Sequence, residues 1–173
     1  MPALQQWNSK HIVAYQQYAK SYIASYATKI DCADLAIAAL VDFATKRKLP
    51  VKLKYYSNGW HWMNFEPGSM DSNKFKKTAM LKLGALNVID NSKPIPISMA
   101  KPGDLIMSKW NPTLGHTRIV YSVKRELKSK KYKVIWYQGN LPPVKPEQKT
   151  DYFSAINGVY GKKPRRWNFE QFN

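Results

Sequence analysis

The sequence predicts an α+β fold, with helices packed on an antiparallel sheet. Three observations carry this. Residues 9–28 and 32–47 repeat large apolar and aromatic side chains every three or four positions, as a helix face does. Residues 104–108, 116–123 and 132–138 are short apolar runs rich in Val, Ile and Tyr, bounded by turn residues. The helical segments precede the strand-like ones instead of alternating with them, which separates α+β from a doubly wound sheet. The 173 residues, 44% of them hydrophobic, supply one core and one domain, 1–173, with neither an internal repeat nor a low-complexity linker.

In chain order, the first helix aligns Tyr15, Tyr18, Tyr22 and Tyr26 with Ile12 and Ile23 on a core-facing side. The second runs over 32–47. Asp31 is its N-cap, Leu35, Leu40, Val41 and Ala44 share one face, and Lys46, Arg47 and Lys48 suit the negative end of the helix dipole before Pro50 stops it. VKLKYY (51–56) alternates like a half-exposed strand, and 57–69 reads as irregular. Asp71 or Ser72 caps a third helix over 73–84, ending near Gly84. Four Pro and Gly residues make 90–103 a loop, KRELKSKK joins the last two strands as a solvated hairpin connection, and GKKPRRW (161–167) reads as a basic surface segment.

Charge narrows the partners. Twenty-eight Lys and Arg against 11 Asp and Glu give +17, which calls for a polyanion, an anionic surface or an acidic carrier. No run of apolar residues is long enough to span a bilayer, so stable membrane insertion is not expected. The polar start, Met1 to Lys10, lacks the basic and apolar regions of a secretory signal, so export would use a route without a cleaved leader. A single cysteine rules out an intrachain disulfide and a Cys-rich zinc site. His11, His61 and His116 lack the i, i+4 pairing of a zinc helix, so neither metal nor cofactor is expected.

Cys32 is the residue with the most chemistry in its position. It opens an apolar helix, where unpaired N–H groups and the positive end of the dipole favour thiolate over thiol and can line an oxyanion hole. Its pKa is therefore expected below the roughly 8.5 of a free cysteine. Taken alone, Cys32 equally suits a small core position. His116 changes the balance, because it opens an apolar strand and can act on the thiol as general base, then on the leaving amine as general acid. Such a pair needs a third group to fix the imidazole. The following strand ends in WYQGN, and antiparallel pairing brings Gln138 and Asn140 beside the start of the histidine strand.

These pieces resemble a known family. DCADLAIAALVDFA is similar to the D-C-S-G-L-V nucleophile helix of NlpC-type cell-wall cysteine peptidases. KPGDLIM (101–107) resembles their P-G-D-L strand, GHTRIVYSV their H-V-G-I-Y strand, and VIWYQGN the strand that often ends in Glu-x-Asn in the related CHAP amidases. The order is also the family's: cysteine, P-G-D-L, histidine, polar third residue. The resemblance covers 31–47 and 101–140. It implies a papain-like fold and hydrolysis of amide bonds in peptidoglycan, with Cys32, His116 and Gln138 or Asn140 catalytic. A small, basic chain without a leader also resembles the wall toxins of bacterial type VI secretion and phage lysins, which implies an acidic immunity protein or secretion carrier as partner and action in a target cell's periplasm or on its wall. Two departures concern the cleft. Ala33-Asp34 follow the cysteine where small residues are usual, and Arg118 stands two after the histidine where a small residue is usual. Asp34 is expected to pair with Arg118 or bind a substrate amine, or else to be a solvated helix-start carboxylate.

Two other readings come from the same residues. KLKYYSNGWHW and GKKPRRWNF interleave basic and aromatic side chains, as single-stranded nucleic-acid binders do. An acyltransferase or lipid-active enzyme on the same fold is the closer rival, since a fold does not fix its substrate.

Overall fold

The computed structural model describes residues 4–155 and 161–173. The first three residues of the polar start lie outside these. The α+β class holds. Four helices, α1 (Ser9–Ser25), α2 (Cys32–Arg47), α3 (Ser72–Lys82) and α4 (Ala85–Asp90), accompany eight strands. These are β1 (Val51–Tyr56), β2 (Trp60–Phe65), β3 (Ser92–Pro94), β4 (Leu105–Lys109), β5 (Gly115–Arg125), β6 (Tyr132–Gln138), β7 (Glu147–Phe153) and β8 (Lys163–Trp167). β1 and β2 form a separate ribbon, and the other six pair in the order β3-β8-β4-β5-β6-β7, antiparallel throughout. Among the described residues no helix is long and apolar enough to cross a membrane.

α2 is the centre of the molecule. Eleven of its 16 residues are buried, so it is apolar nearly all round, as a helix covered on several sides must be. Asp31 caps it by accepting the Ala33 N–H at 2.8 Å. Lys48, in the left-handed region with φ 56°, ends it two residues before Pro50. α1 packs beside it through Tyr15, Ala19 and Ile23, and the tyrosine stripe faces inward as expected.

The large sheet has two covered faces. Leu105, Met107 and Ile119 join α1 and α2 in the larger core cluster. The alternate residues Ile106, Val120, Val134, Trp136 and Phe153 form a second cluster with Ile97 and Ala100. The P-G-D-L stretch is fixed by this packing. Gly103 has φ +85° and lies where a Cβ would come within 3.0 Å of Ala19 and 3.1 Å of Tyr15. Asp104 is buried and takes a two-pronged bond from Arg166, Nε at 2.8 Å and Nη2 at 2.7 Å, plus the Lys101 N–H. Its carboxyl is nonetheless held above the ordinary range, burial outweighing the guanidinium.

Several elements differ from expectation. Residues 60–65 are not irregular but form β2, because Asn58 and Gly59, at φ 51° and 125°, make the tight turn that a two-stranded ribbon requires. Gly84 does not end a helix; it caps α4, which is too short to show a period. GKKPRRW is not a surface segment. Its 163–167 portion is β8, between β3 and β4, where Arg165 donates to Ser92 and the Ile89 carbonyl while Arg166 holds Asp104. β7 was also unforeseen.

Candidate functional site

The first turn of α2 meets the sheet where β6 leaves it. The β5–β6 register runs to Ile119↔Tyr137 and no further. Beyond it, 139–144 turns onto the residues before Cys32. Asn140 N–H and Val144 N–H both donate to the Ile30 carbonyl, at 3.2 and 3.3 Å. This approach needs Gly139, where a Cβ would lie 2.3 Å from the Ile30 oxygen and 2.6 Å from the Asp31 oxygen. Cys32 follows directly on this junction, and the Thr117 backbone amide is close enough to its thiol to favour the ionised form. The residue before Thr117 is His116.

Alternation along β5 sends Thr117 and Ile119 to the helical face and His116, Arg118 and Val120 to the other. Gln138, in phase with Val134 and Trp136, lies on that same second face. His116 Nε2 and Gln138 Oε1 are 2.5 Å apart, which makes Nε2 the protonated nitrogen, donating to the amide oxygen. Gln138 Nε2 in turn donates to Glu147 on β7 at 3.3 Å. The imidazole also stacks on Trp110, with ring centroids 5.4 Å apart and planes 8° apart. Among the described residues no hydrogen bond engages Nδ1, and none yet joins it to the sulfur. The ring and the thiol belong to adjoining elements, the start of β5 and the first turn of α2.

Of the two candidates for the third residue, the geometry brings Gln138 to the imidazole and not Asn140. Asn140 is exposed and its side chain accepts the Leu141 N–H at 2.8 Å, shaping the loop. Arg118 and Asp34 do not pair. Arg118 is buried on the second face, donates to Ser108 Oγ at 2.9 Å, and lies 5.2 Å from the centre of the Trp136 ring. Asp34 is half-buried at the start of α2, and burial followed by the neighbouring Asp31 carboxylate pushes its pKa up to about 6.

The thiol is not acidified. Burial pushes Cys32 up to about 11, and the Asp31 carboxylate adds to this as a charge and as a hydrogen-bond partner, against the lowering effect of the Thr117 N–H. The capping acid that starts the helix thus opposes the helix terminus. His116 is shifted down, chiefly by burial, with Gln138 partly restoring it and Arg118 opposing. Both shifts favour a neutral thiol and a neutral imidazole at rest. The cap also claims the Ala33 N–H, so the first-turn amides that remain for an oxyanion are those of Cys32 and Asp34.

Sequence reasoning missed Trp110, Thr117 and Gly139. Trp110 had a signal in SKWNPTLGH, a hairpin in which Lys109 pairs with Gly115 and the flanking residues come together. Gly139 had one in its place between two polar candidates. The role of Thr117 is carried by its backbone and leaves no mark in the sequence. No group of His, Cys, Asp and Glu among the described residues has the arrangement of a metal site. Two surface grooves lie elsewhere, one of about 320 Å³ bordered by Met63, Met70 and Phe75, the other of about 560 Å³ by Ile12, Val13 and Met99; neither includes Cys32 or His116.

No protein-family model, curated protein or solved structure matches the chain.

Proposed function

We propose that the chain is a papain-like cysteine hydrolase that cleaves amide bonds of peptidoglycan, with Cys32 as nucleophile, His116 as general base and acid, and Gln138 orienting the imidazole. The observation that carries this reading is the 2.5 Å His116–Gln138 contact, on the strand whose next residue, Thr117, brings its backbone amide near the Cys32 thiol.

In this mechanism His116 Nδ1 takes the thiol proton as Sγ bonds to the scissile carbonyl carbon. The oxyanion is stabilised by the Cys32 and Asp34 amides. Collapse breaks the C–N bond, and the imidazolium gives its proton to the departing amine. Water, deprotonated by His116, then attacks the thioester, releasing the carboxylic acid and restoring the thiol. Gln138, a neutral acceptor, holds the ring but stabilises the imidazolium less than a carboxylate would. Asp34, half-buried in the first turn of the same helix, takes the substrate amine in this reading.

The charge of +17 suits an anionic wall, and the type VI toxin reading, with an acidic immunity protein or carrier, belongs to the same proposal. The test is digestion of purified sacculi by the wild type, Cys32→Ala and His116→Ala, with the muropeptides read by mass spectrometry. New amide-cleavage products with the wild type alone are expected. Identical muropeptides from all three, across several wall chemotypes, would overturn the reading.

A further inference from the structure

The ribbon of β1 and β2 has two unlike faces. Val51, Leu53 and Phe65 are buried against the core. The alternate positions, Lys52, Lys54, Tyr56, Trp60, Trp62 and Asn64, form the outward face. Three of these are large aromatics, 64%, 54% and 53% exposed for Tyr56, Trp60 and Trp62. Tyr56 and Trp60 pack edge to face with centroids 5.6 Å apart, and the Lys54 ammonium lies 5.0 Å from the centre of the Trp60 ring. The Lys52 ammonium, at the other end, donates to the Asn173 carbonyl at 2.7 Å. An exposed aromatic cluster of this size, bordered by charge, marks an interaction surface. The buried side of the ribbon alone satisfies the fold, so packing does not account for two outward tryptophans.

We propose that this outward face is a binding platform for a carboxylate-bearing glycan strand, separate from the catalytic residues. The proposal rests on the wall-polymer reading above and names the part of the polymer that the ribbon takes. An indole offers a flat apolar face with a polar N–H at its edge, which matches a pyranose ring with its C–H face and equatorial hydroxyls. The lysines supply the complement to carboxylates. The spacing separates this ligand from the other aromatic-binding polyanion. Trp60 and Trp62 are two residues apart on one strand, about 6.8 Å. Successive bases stack at about 3.4 Å, so the two indoles would skip one, whereas a sugar ring is wider than a base is thick.

The platform is also near the cysteine site. α4 connects them: a Cβ on Gly115, next to His116, would lie 3.0 Å from Leu86, and the side-chain amide of Asn91, after the other end of α4, accepts the Lys54 N–H and donates to the Lys54 carbonyl. Six helical residues span about 9 Å. A strand held on the ribbon could thus present its peptide to Cys32.

The experiment uses full-length protein carrying Cys32→Ala, so that the polymer stays intact, and measures co-sedimentation with purified sacculi. Trp60→Ala with Trp62→Ala is expected to weaken binding at least tenfold with an unchanged melting temperature, and Trp60→Tyr with Trp62→Tyr to keep most of it. Unchanged binding by the alanine pair would overturn the platform. So would a tyrosine pair as weak as the alanine pair, or a thymidine oligonucleotide that binds the parent more tightly than sacculi do and is lost with the alanine pair. Failure of the catalytic reading shows instead as unchanged muropeptides, which binding by a Cys32→Ala protein does not touch.

Discussion

At the scale of single residues, Asp31 is the most informative. It makes the cap that starts α2, and its charge helps hold the Cys32 thiol protonated. Asparagine caps nearly as well as aspartate. Asp31→Asn should therefore keep the helix and lower the thiol pKa from about 11, read as a shift of the iodoacetamide alkylation profile to lower pH. An unmoved profile would mean that burial alone sets the thiol. His116 gives a second prediction. Its neutral form is the base, so turnover is lost as pH falls through its pKa. Burial lowers that pKa, so the acid limb of kcat/KM should lie below the ordinary 6.5. Gln138 favours the protonated ring. Gln138→Ala should move the limb further to acid and cut turnover by roughly 10²-fold, while Asn140→Ala, which loses only a bond to its own loop, should stay within a few fold of wild type. Equal effects from the two would remove Gln138 from its role.

At the scale of elements, what could be read from the sequence depended on which force built each piece. α2 and its cap were legible because propensity, capping chemistry and apolar pattern agree there. β5 and β6 were legible because both faces are covered and their apolar runs are continuous. β7 was not. It is an edge strand of polar residues, EQKTDYF, held by backbone pairing to β6, and polar edges show no apolar alternation. β8 was hidden by its charges, since Arg165 and Arg166 look solvated until Ser92, Ile89 and Asp104 come to meet them. Arg166→Met would leave Asp104 buried without its cation and should cost about 3–5 kcal/mol in urea unfolding at neutral pH. A loss under about 1 kcal/mol would show that the Lys101 amide and solvent suffice. In the site, the sequence offered both Gln138 and Asn140, and the side chain that meets the imidazole is that of Gln138. The acidified thiol was the error. The dipole argument counted the helix terminus and left out the burial and the capping carboxylate that accompany it.

At the scale of the molecule, the chain carries a net charge of +17. On the proposed reading this charge concentrates the protein on an anionic polymer, and the attraction should weaken as salt shortens the screening length to about 8 Å near physiological strength. Co-sedimentation of Cys32→Ala with sacculi should thus fall across a salt series, while the alkylation rate of Cys32 in the wild type should not follow it. If both fell together, salt would be altering the fold and not the encounter. The proposed chemistry rests on Cys32, His116 and Gln138, with water as the final acceptor. The most direct measurement is digestion of sacculi in heavy-oxygen water by wild type and Cys32→Ala. The account predicts that the wild type releases a free amine and a carboxylate carrying one heavy oxygen at each cut, and that Cys32→Ala releases neither. Products with no heavy oxygen, formed by transfer of the acyl group to another amine or hydroxyl, or equal release by both proteins, would contradict it.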